Sequence, residues 1–194
     1  MGKQVRILAI SGSMRKASFN SKILRIAANA AQAAGADVTF LDLRELNLPL
    51  YDGDFHEQEG VPEAALKAKK LFESHDGLLI ASPEHNGTIS AVLKNLIDWV
   101  SVRVQNDEPM LHSFRGKVAA IMSTSPGALG GLRGLFQLRD LLQNVMIMVM
   151  PSMHAIGGSH AAIGPQGAMV DVKEQEKLEA LGAELAQLLS RINP

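Results

Sequence analysis

Val5-Arg6-Ile7-Leu8-Ala9-Ile10 runs straight into Ser11-Gly12-Ser13-Met14-Arg15-Lys16-Ala17-Ser18-Phe19-Asn20. The first six residues are a short apolar, β-branched run that reads as a strand and stops at Ser11-Gly12-Ser13. Beyond the stop, Phe19, Ile23, Ile26, Ala27, Ala30 and Ala31 recur at the spacing of one helix face, and Gly35 closes the segment. A strand, a polar turn and an amphipathic helix in that order are half of a βαβ crossover.

The same alternation continues to the end of the chain. Asp37–Leu43, Gly77–Ser82, Lys117–Thr124 and Val145–Met150 read as further strands. A polar loop holding Pro49, Gly53 and Gly60 leads to a helix near Pro62, where proline suits a first turn. Leu93, Leu96, Ile97 and Val100 give another helical stripe, a further helix runs to about Asn144, and Leu178, Leu181, Leu185, Leu188, Leu189 and Ile192 share one side of the last. Met146 to Met153 reads as adaptable packing in a buried fifth strand, and a loop rich in Gly, His and Ser follows from Ser152 to Gly167. Right-handed crossovers turn this repetition into a parallel sheet covered on both faces. The expected fold is an α/β, flavodoxin-like three-layer α/β/α sandwich with a five-stranded parallel sheet in the order 2-1-3-4-5. With no repeat, low-complexity tract or linker, residues 1–194 are expected to form a single domain.

Composition narrows the chemistry. Apolar residues make up 46% and charged residues 20%, the profile of a globular protein. A net charge of −1 gives no overall footprint for nucleic acid or for an anionic membrane. The absence of cysteine excludes disulfides, thiolate metal sites, iron–sulfur clusters and a cysteine nucleophile. His56, His75, His85, His112, His154 and His160 show no metal-ligand spacing, so no metal is expected. No GxSxG elbow follows a strand. No segment approaches the roughly 18–20 apolar residues of a membrane span and the start lacks a signal-type apolar run, so a cytoplasmic protein is expected.

Ligands of open α/β sheets bind beyond the carboxyl ends of the strands, which singles out three loops. Residues 11–20 concentrate hydroxyls and Arg15 at a helix start, where a phosphate could meet Ser11, Ser13, Ser18, Arg15 and the Asn20 amide. The same residues serve an ordinary helix cap, with Ser18 as N-cap. Pro83-Glu84-His85-Asn86-Gly87-Thr88 could lay backbone N–H groups along a flat, heteroatom-bearing ring, or could be a tight turn before a helix capped by Thr88 or Ser90. Trp99 is expected in the core or at a subunit contact. Ser123-Thr124-Ser125-Pro126-Gly127-Ala128-Leu129-Gly130-Gly131 is small enough for a planar ligand to approach closely.

With these residues in hand, the chain resembles the NADPH-dependent FMN reductase family, which includes chromate- and quinone-reducing flavoproteins. The resemblance rests on Gly12-Ser13-x-Arg15-x-x-Ser18-x-Asn20, on Pro83-Glu84-x-Asn86-Gly87 with Leu93-Lys94-Asn95-x-x-Asp98-Trp99, and on Gly130-Gly131 with Gln137-Leu138-Arg139 and Leu142. It implies an FMN-binding domain in which Ser11, Ser13, Arg15, Ser18 and Asn20 hold the phosphate, with Met14 and Phe19 also among the cofactor-binding residues. Pro83, Glu84, His85, Asn86 and Gly87 would contact the isoalloxazine, and the loop around Ser123 would close over its other side. The family usually carries tyrosine where this chain has His85.

The reaction so implied is hydride transfer from NADPH or NADH through bound FMN to a small-molecule acceptor: a quinone, an azo compound, a metal oxyanion or free flavin. The chemistry is borne by the flavin, so no side chain is named as an acid–base catalyst. Glu84 and His85 are candidates for orienting substrate. A homodimer or homotetramer is implied as well. The alternatives are a flavodoxin-type electron carrier, against which a near-neutral chain with 4% aromatic residues speaks, and a non-catalytic flavin-binding sensor or interaction protein.

Overall fold

The computed structural model describes residues 4–105 and 107–192. Strands β1 (Arg6–Ser11), β2 (Asp37–Leu41), β3 (Gly77–Ala81), β4 (Val118–Thr124) and β5 (Met148–Ile156) form one sheet in the order β2-β1-β3-β4-β5. Every neighbouring pair is parallel; Ile7, for instance, sits between Val38 and Gly77. The order is the one expected from the sequence. Helices α1 (Phe19–Ala33), α2 (Leu43–Leu46), α3 (Gly53–Glu59), α4 (Glu63–Ser74), α5 (Ala91–Ser101), α6 (Leu132–Asn144), α7 (Ser159–Ala162) and α8 (Val172–Ile192) complete the described structure.

Two cores flank the sheet. Ile7, Ala9, Leu79, Ala81, Ala120 and Met122 pack with α1 and α8 on one face. Leu8, Ile10, Leu78, Ile80, Ala119 and Ile121 pack with α4, α5 and α6 on the other. Burial on both faces is why each central strand reads as an unbroken apolar run and not as an alternating one. Each fully buried Leu or Ile contributes roughly 1.5–3 kcal/mol. Helices α1 and α8 approach so closely that a Cβ on Gly182 would lie 1.9 Å from the Ala27 carbonyl oxygen.

The fifth strand departs from expectation. Val145 and Met146 finish α6 instead of opening a strand: Met146 N–H donates to Gln143 O and Ile147 N–H to Leu142 O, with Met146 at φ +72°. This is a Schellman closure, in which a left-handed residue satisfies the last helical carbonyls. Pairing begins with Met148 N–H on Lys117 O and continues to Ile156, well into the stretch read as a loop. Between the Ala119–Val149 and Ile121–Met153 pairs the register shifts. Pro151, which has no N–H to offer, falls inside that irregularity on an edge strand. Because β5 is an edge, Met146 and Met148 are about half exposed (52% and 53%), and the idea of a wholly buried methionine strand is corrected.

Strand β2 also ends early, at Leu41, since the Asp42 side chain accepts from Arg44 N–H and caps α2. Trp99 is fully buried in the core, and its Nε1–H donates to the Pro49 carbonyl at 2.8 Å. Asn95 Nδ2 donates to the same oxygen, so α5 anchors the long polar loop after α2. No described helix is long and apolar enough to cross a membrane.

Candidate active site

The carboxyl ends of β1, β3 and β4 open onto a cleft of about 440 Å³. Its walls are the three loops singled out by the sequence, together with Ser159 at the start of α7. Gly12 stitches the first loop in place: its N–H donates to Ala81 O at 2.8 Å, and its carbonyl accepts from Ser90 Oγ at 2.6 Å. Ser90 is also the N-cap of α5, so one buried hydroxyl joins two loops.

Within the first loop, Ser13, Met14, Arg15, Ser18, Phe19 and Asn20 border the cleft. Ser18 is the N-cap of α1 and accepts from Ser21 N–H, so the cap and the cleft wall are the same residue. The first turn of α1, with its unsatisfied N–H groups and positive dipole end, therefore opens beside the cleft. Ser11 lies elsewhere. Its hydroxyl accepts from Ser21 Oγ at 2.9 Å, and it borders a smaller depression on the β2 side.

Asn20 is buried, and both ends of its amide engage the Thr124 peptide, Nδ2 donating to O and Oδ1 accepting from N–H. The amide thus clamps the β1 and β4 loops together at the border of the cleft.

In the second loop Pro83, Glu84 and His85 border the cleft. His85 and Thr88 exchange both backbone hydrogen bonds across a two-residue turn in which Asn86 (φ +53°) and Gly87 (φ +83°) are left-handed. Positive φ at both central positions marks a type I′ turn, which Asn-Gly favours. The His85 N–H is taken by Thr88, and Asn86 faces a neighbouring groove between α5 and α6, which His85 also borders.

Glu84 borders the cleft with its carboxylate already engaged by the protein. Arg133 at the start of α6 grips it through Nε (2.9 Å) and Nη2, and Gly134 N–H adds a third bond. The Arg133 hydrogen bond holds its carboxyl below the usual carboxylate range, against a smaller opposing push from burial. The pair thus ties the second loop to α6.

The third loop presents Thr124, Ser125 and Pro126 to the cleft, whereas Ser123 is fully buried behind it. A Cβ on Gly131 (φ +91°) would lie 2.0 Å from Ser123 Oγ, and one on Gly130 would lie 2.5 Å from the Ile156 backbone. These glycines let the protein approach itself, and Thr124, Ser125 and Pro126 are the residues of the loop around Ser123 that border the cleft. Ser159 is a cleft residue that no sequence motif marks. It is fully buried, its hydroxyl has no hydrogen-bond partner, and its N–H donates to Ser125 O at 3.1 Å. Only the Gly- and Ser-rich composition of residues 152–167 hints at it.

Far from the cleft, Glu73, Glu108 and His112 bring carboxylate and imidazole atoms within 4.8 Å of one another, a cluster that histidine spacing does not reveal. A cation is already there: buried Lys69 pairs with Glu108 and donates to Val102 O.

The profile of a family described as NADPH-dependent FMN reductase matches residues 5–161. The chain is 30% identical over 194 residues to a quinone reductase of Escherichia coli strain K12, covering 99% of each protein. It is 33% identical over 182 residues to an NAD(P)H-dependent FMN reductase of Pseudomonas aeruginosa, with 92% of each covered. The solved structure of a flavoenzyme NAD(P)H:(acceptor) oxidoreductase from Paracoccus denitrificans superposes with a TM-score of 0.78 at 26% identity, over 96% of this chain and 98% of that one. Similarity of this extent, on a sheet whose cleft gathers the three motif loops, means that the chain belongs to the NADPH-dependent FMN reductase family.

Proposed function

We propose that this chain is an FMN-dependent oxidoreductase that takes hydride from NADPH or NADH and passes two electrons to a quinone-class small molecule. All 194 residues act as one flavin-binding domain in the cytoplasm, assembled as a homodimer or homotetramer. The observation that carries the reading is the cleft of about 440 Å³ at the ends of β1, β3 and β4, which the start of α1 with Arg15 shares with the loops after β3 and β4.

The residues present fit the cofactor. Arg15 pairs with no carboxylate among the described residues, and the Ser159 hydroxyl is a buried polar group without a protein partner. An orphan of this kind costs about 1–3 kcal/mol unless a ligand satisfies it. Ser13, Arg15, Ser18 and the first turn of α1 hold the phosphate. Pro83, Glu84 and His85 with Thr124, Ser125 and Pro126 bound the ring, and Met14 and Phe19 border the same cleft. Bound FMN supplies the hydride chemistry; the protein binds it, orients it and shapes its electrostatic surroundings. The Glu84–Arg133 pair and the Asn20–Thr124 clamp keep the loops rigid, so the site is organised before the ligand arrives.

The test is an absorbance spectrum after FMN is added and the excess removed, repeated with NADPH under nitrogen. Retained flavin that bleaches is the expected result. Flavin that stays yellow points to a carrier or another reductant, and a protein that retains none overturns the reading.

A further inference from the structure

A quinone becomes a hydroquinone by taking up a hydride and one further proton. Bound FMN supplies the hydride, and the walls of the cleft decide where the proton comes from. Among the described residues that border the cleft, only Arg15, Glu84 and His85 carry ionisable side chains. A guanidinium does not release its proton in a protein. The Glu84 carboxylate accepts from Arg133 Nε (2.9 Å) and from Gly134 N–H (3.2 Å), and the Arg133 bond holds it below the usual carboxylate range. It is therefore ionised at neutral pH and has no proton to give. His85 is left, and histidine is the side chain that ordinarily titrates between about pH 5 and pH 8.

The placement of His85 suits a donor. Its N–H donates to Thr88 O at 2.9 Å and its carbonyl accepts from Thr88 N–H at 3.1 Å, so the ring stands on a pinned turn. The residue is exposed, and among the described residues no group hydrogen-bonds to its ring or pairs with it. It also borders the open groove of about 640 Å³ between α5 and α6, a route by which solvent restores a proton. The charges around it are mostly paired already. Glu84 is held by Arg133, Lys94 of α5 by Asp98 (2.7 Å), and Asp140 of α6 by Arg139 (3.4 Å); Arg15 borders the cleft from the first loop. His160 packs edge-on against Phe19 at 5.0 Å but is not a wall of the cleft.

We propose that His85 is the proton donor to the acceptor, giving the second proton that turns a quinone into a hydroquinone. The proposal rests on the flavin-dependent function proposed for the cleft. Two electrons and one proton reach the quinone as hydride from FMN reduced by NADPH or NADH. The second proton leaves a ring nitrogen of His85: that N–H bond breaks, an O–H bond forms on the quinone oxygen, and solvent reprotonates the imidazole.

The experiment follows reoxidation of the NADPH-reduced, FMN-loaded protein by stopped flow between about pH 5 and pH 10. Menadione, which takes up protons, is compared with ferricyanide, which takes an electron alone. The menadione-to-ferricyanide rate ratio should fall as pH rises through the histidine range. His85→Gln should lower the ratio about tenfold or more at low pH and remove the fall. His85→Tyr carries a phenol that keeps its proton to about pH 10, so the fall should move upward. His160→Gln should leave it in place. A ratio that His85→Gln does not change, or a fall that survives it, overturns the proposal. A second readout needs no turnover. In ¹⁵N-histidine spectra of the oxidised, FMN-loaded protein, the ring signals lost in His85→Gln should shift when 1-naphthol is added as an unreactive mimic of the hydroquinone. Signals that stay in place overturn the contact. A protein that retains no flavin defeats the flavin reading and this proposal together, whereas retained flavin with a pH-independent ratio defeats this proposal alone.

Discussion

The Asn20 side chain and the Thr124 peptide grip each other at two points, 3.0 Å from Nδ2 to the carbonyl and 3.1 Å from the N–H to Oδ1. Because Thr124 Oγ1 also donates to Ile156 O, one amide on α1 fixes the ends of both β4 and β5 at the mouth of the cleft. Asn20→Ala would leave two backbone groups unsatisfied in a buried place, at about 1–3 kcal/mol each before relaxation and water entry. We expect a loss of about 2 kcal/mol in urea unfolding and weaker retention of FMN. A variant as stable as the parent would show that the clamp is redundant.

Ser159 presents the opposite balance. Its hydroxyl is buried and unpartnered, so Ser159→Ala removes a burden from the flavin-free protein. Thermal unfolding without flavin should be unchanged or shifted upward. Fluorescence titration should show FMN affinity falling about three- to tenfold, the worth of one hydrogen bond. Undiminished affinity would mean that the hydroxyl does not meet the cofactor.

His85 stands where the family usually has tyrosine, at the junction of the cleft and the groove between α5 and α6. A phenol ring offers more stacking surface than an imidazole. His85→Tyr is therefore expected to tighten FMN binding. Titration of the two proteins side by side checks it, and equal or weaker affinity counts against a ring contact at this position.

Glu108 couples acidity to stability. Burial pushes its pKa up, but hydrogen bonds from Lys69 and Val104 N–H and the charges of Lys69 and His112 outweigh that and hold it at about 2, against an ordinary 4.5. A carboxyl with a lowered folded-state pKa stabilises the fold above its unfolded value and loses that contribution as pH falls through the folded one. On the order of 1–3 kcal/mol should disappear between about pH 4.5 and pH 2. Unfolding midpoints measured across that window should fall less steeply in Glu108→Gln, which is already destabilised at neutral pH because Lys69 is left buried and unpaired. Parallel curves for the two proteins would refute the assignment.

Much of the architecture is legible in local sequence pattern. The Val5–Ile10 run, the stripe beginning Phe19, Ile23, Ile26 and Ala27, and the Asn86-Gly87 pair each declare a local geometry that the fold adopts. Pattern and structure part where long-range context overrides it. Val145–Met150 is apolar enough for a strand, yet a helix closure at Met146 consumes its first residues, and an edge position leaves Met148 exposed. Glu84, Asn20 and Ser123 lie in ligand loops and so read as ligand contacts. The direction of their side chains depends on Arg133, Thr124 and Gly131, which no local window contains.

The sequence by itself determined the parallel sheet, its order and the three loops at its carboxyl edge. Strand and helix periods, turn residues and crossover handedness act over a few residues or follow general rules of chain geometry. Only the tertiary structure decided which residues of those loops border the cleft, that Ser159 joins them, and that basic residues from α1 and α2 gather around Asp42. Those arrangements join residues as far apart in the chain as Asn20 and Thr124, 104 positions. Their contacts exist only after the sheet has brought distant segments to one edge.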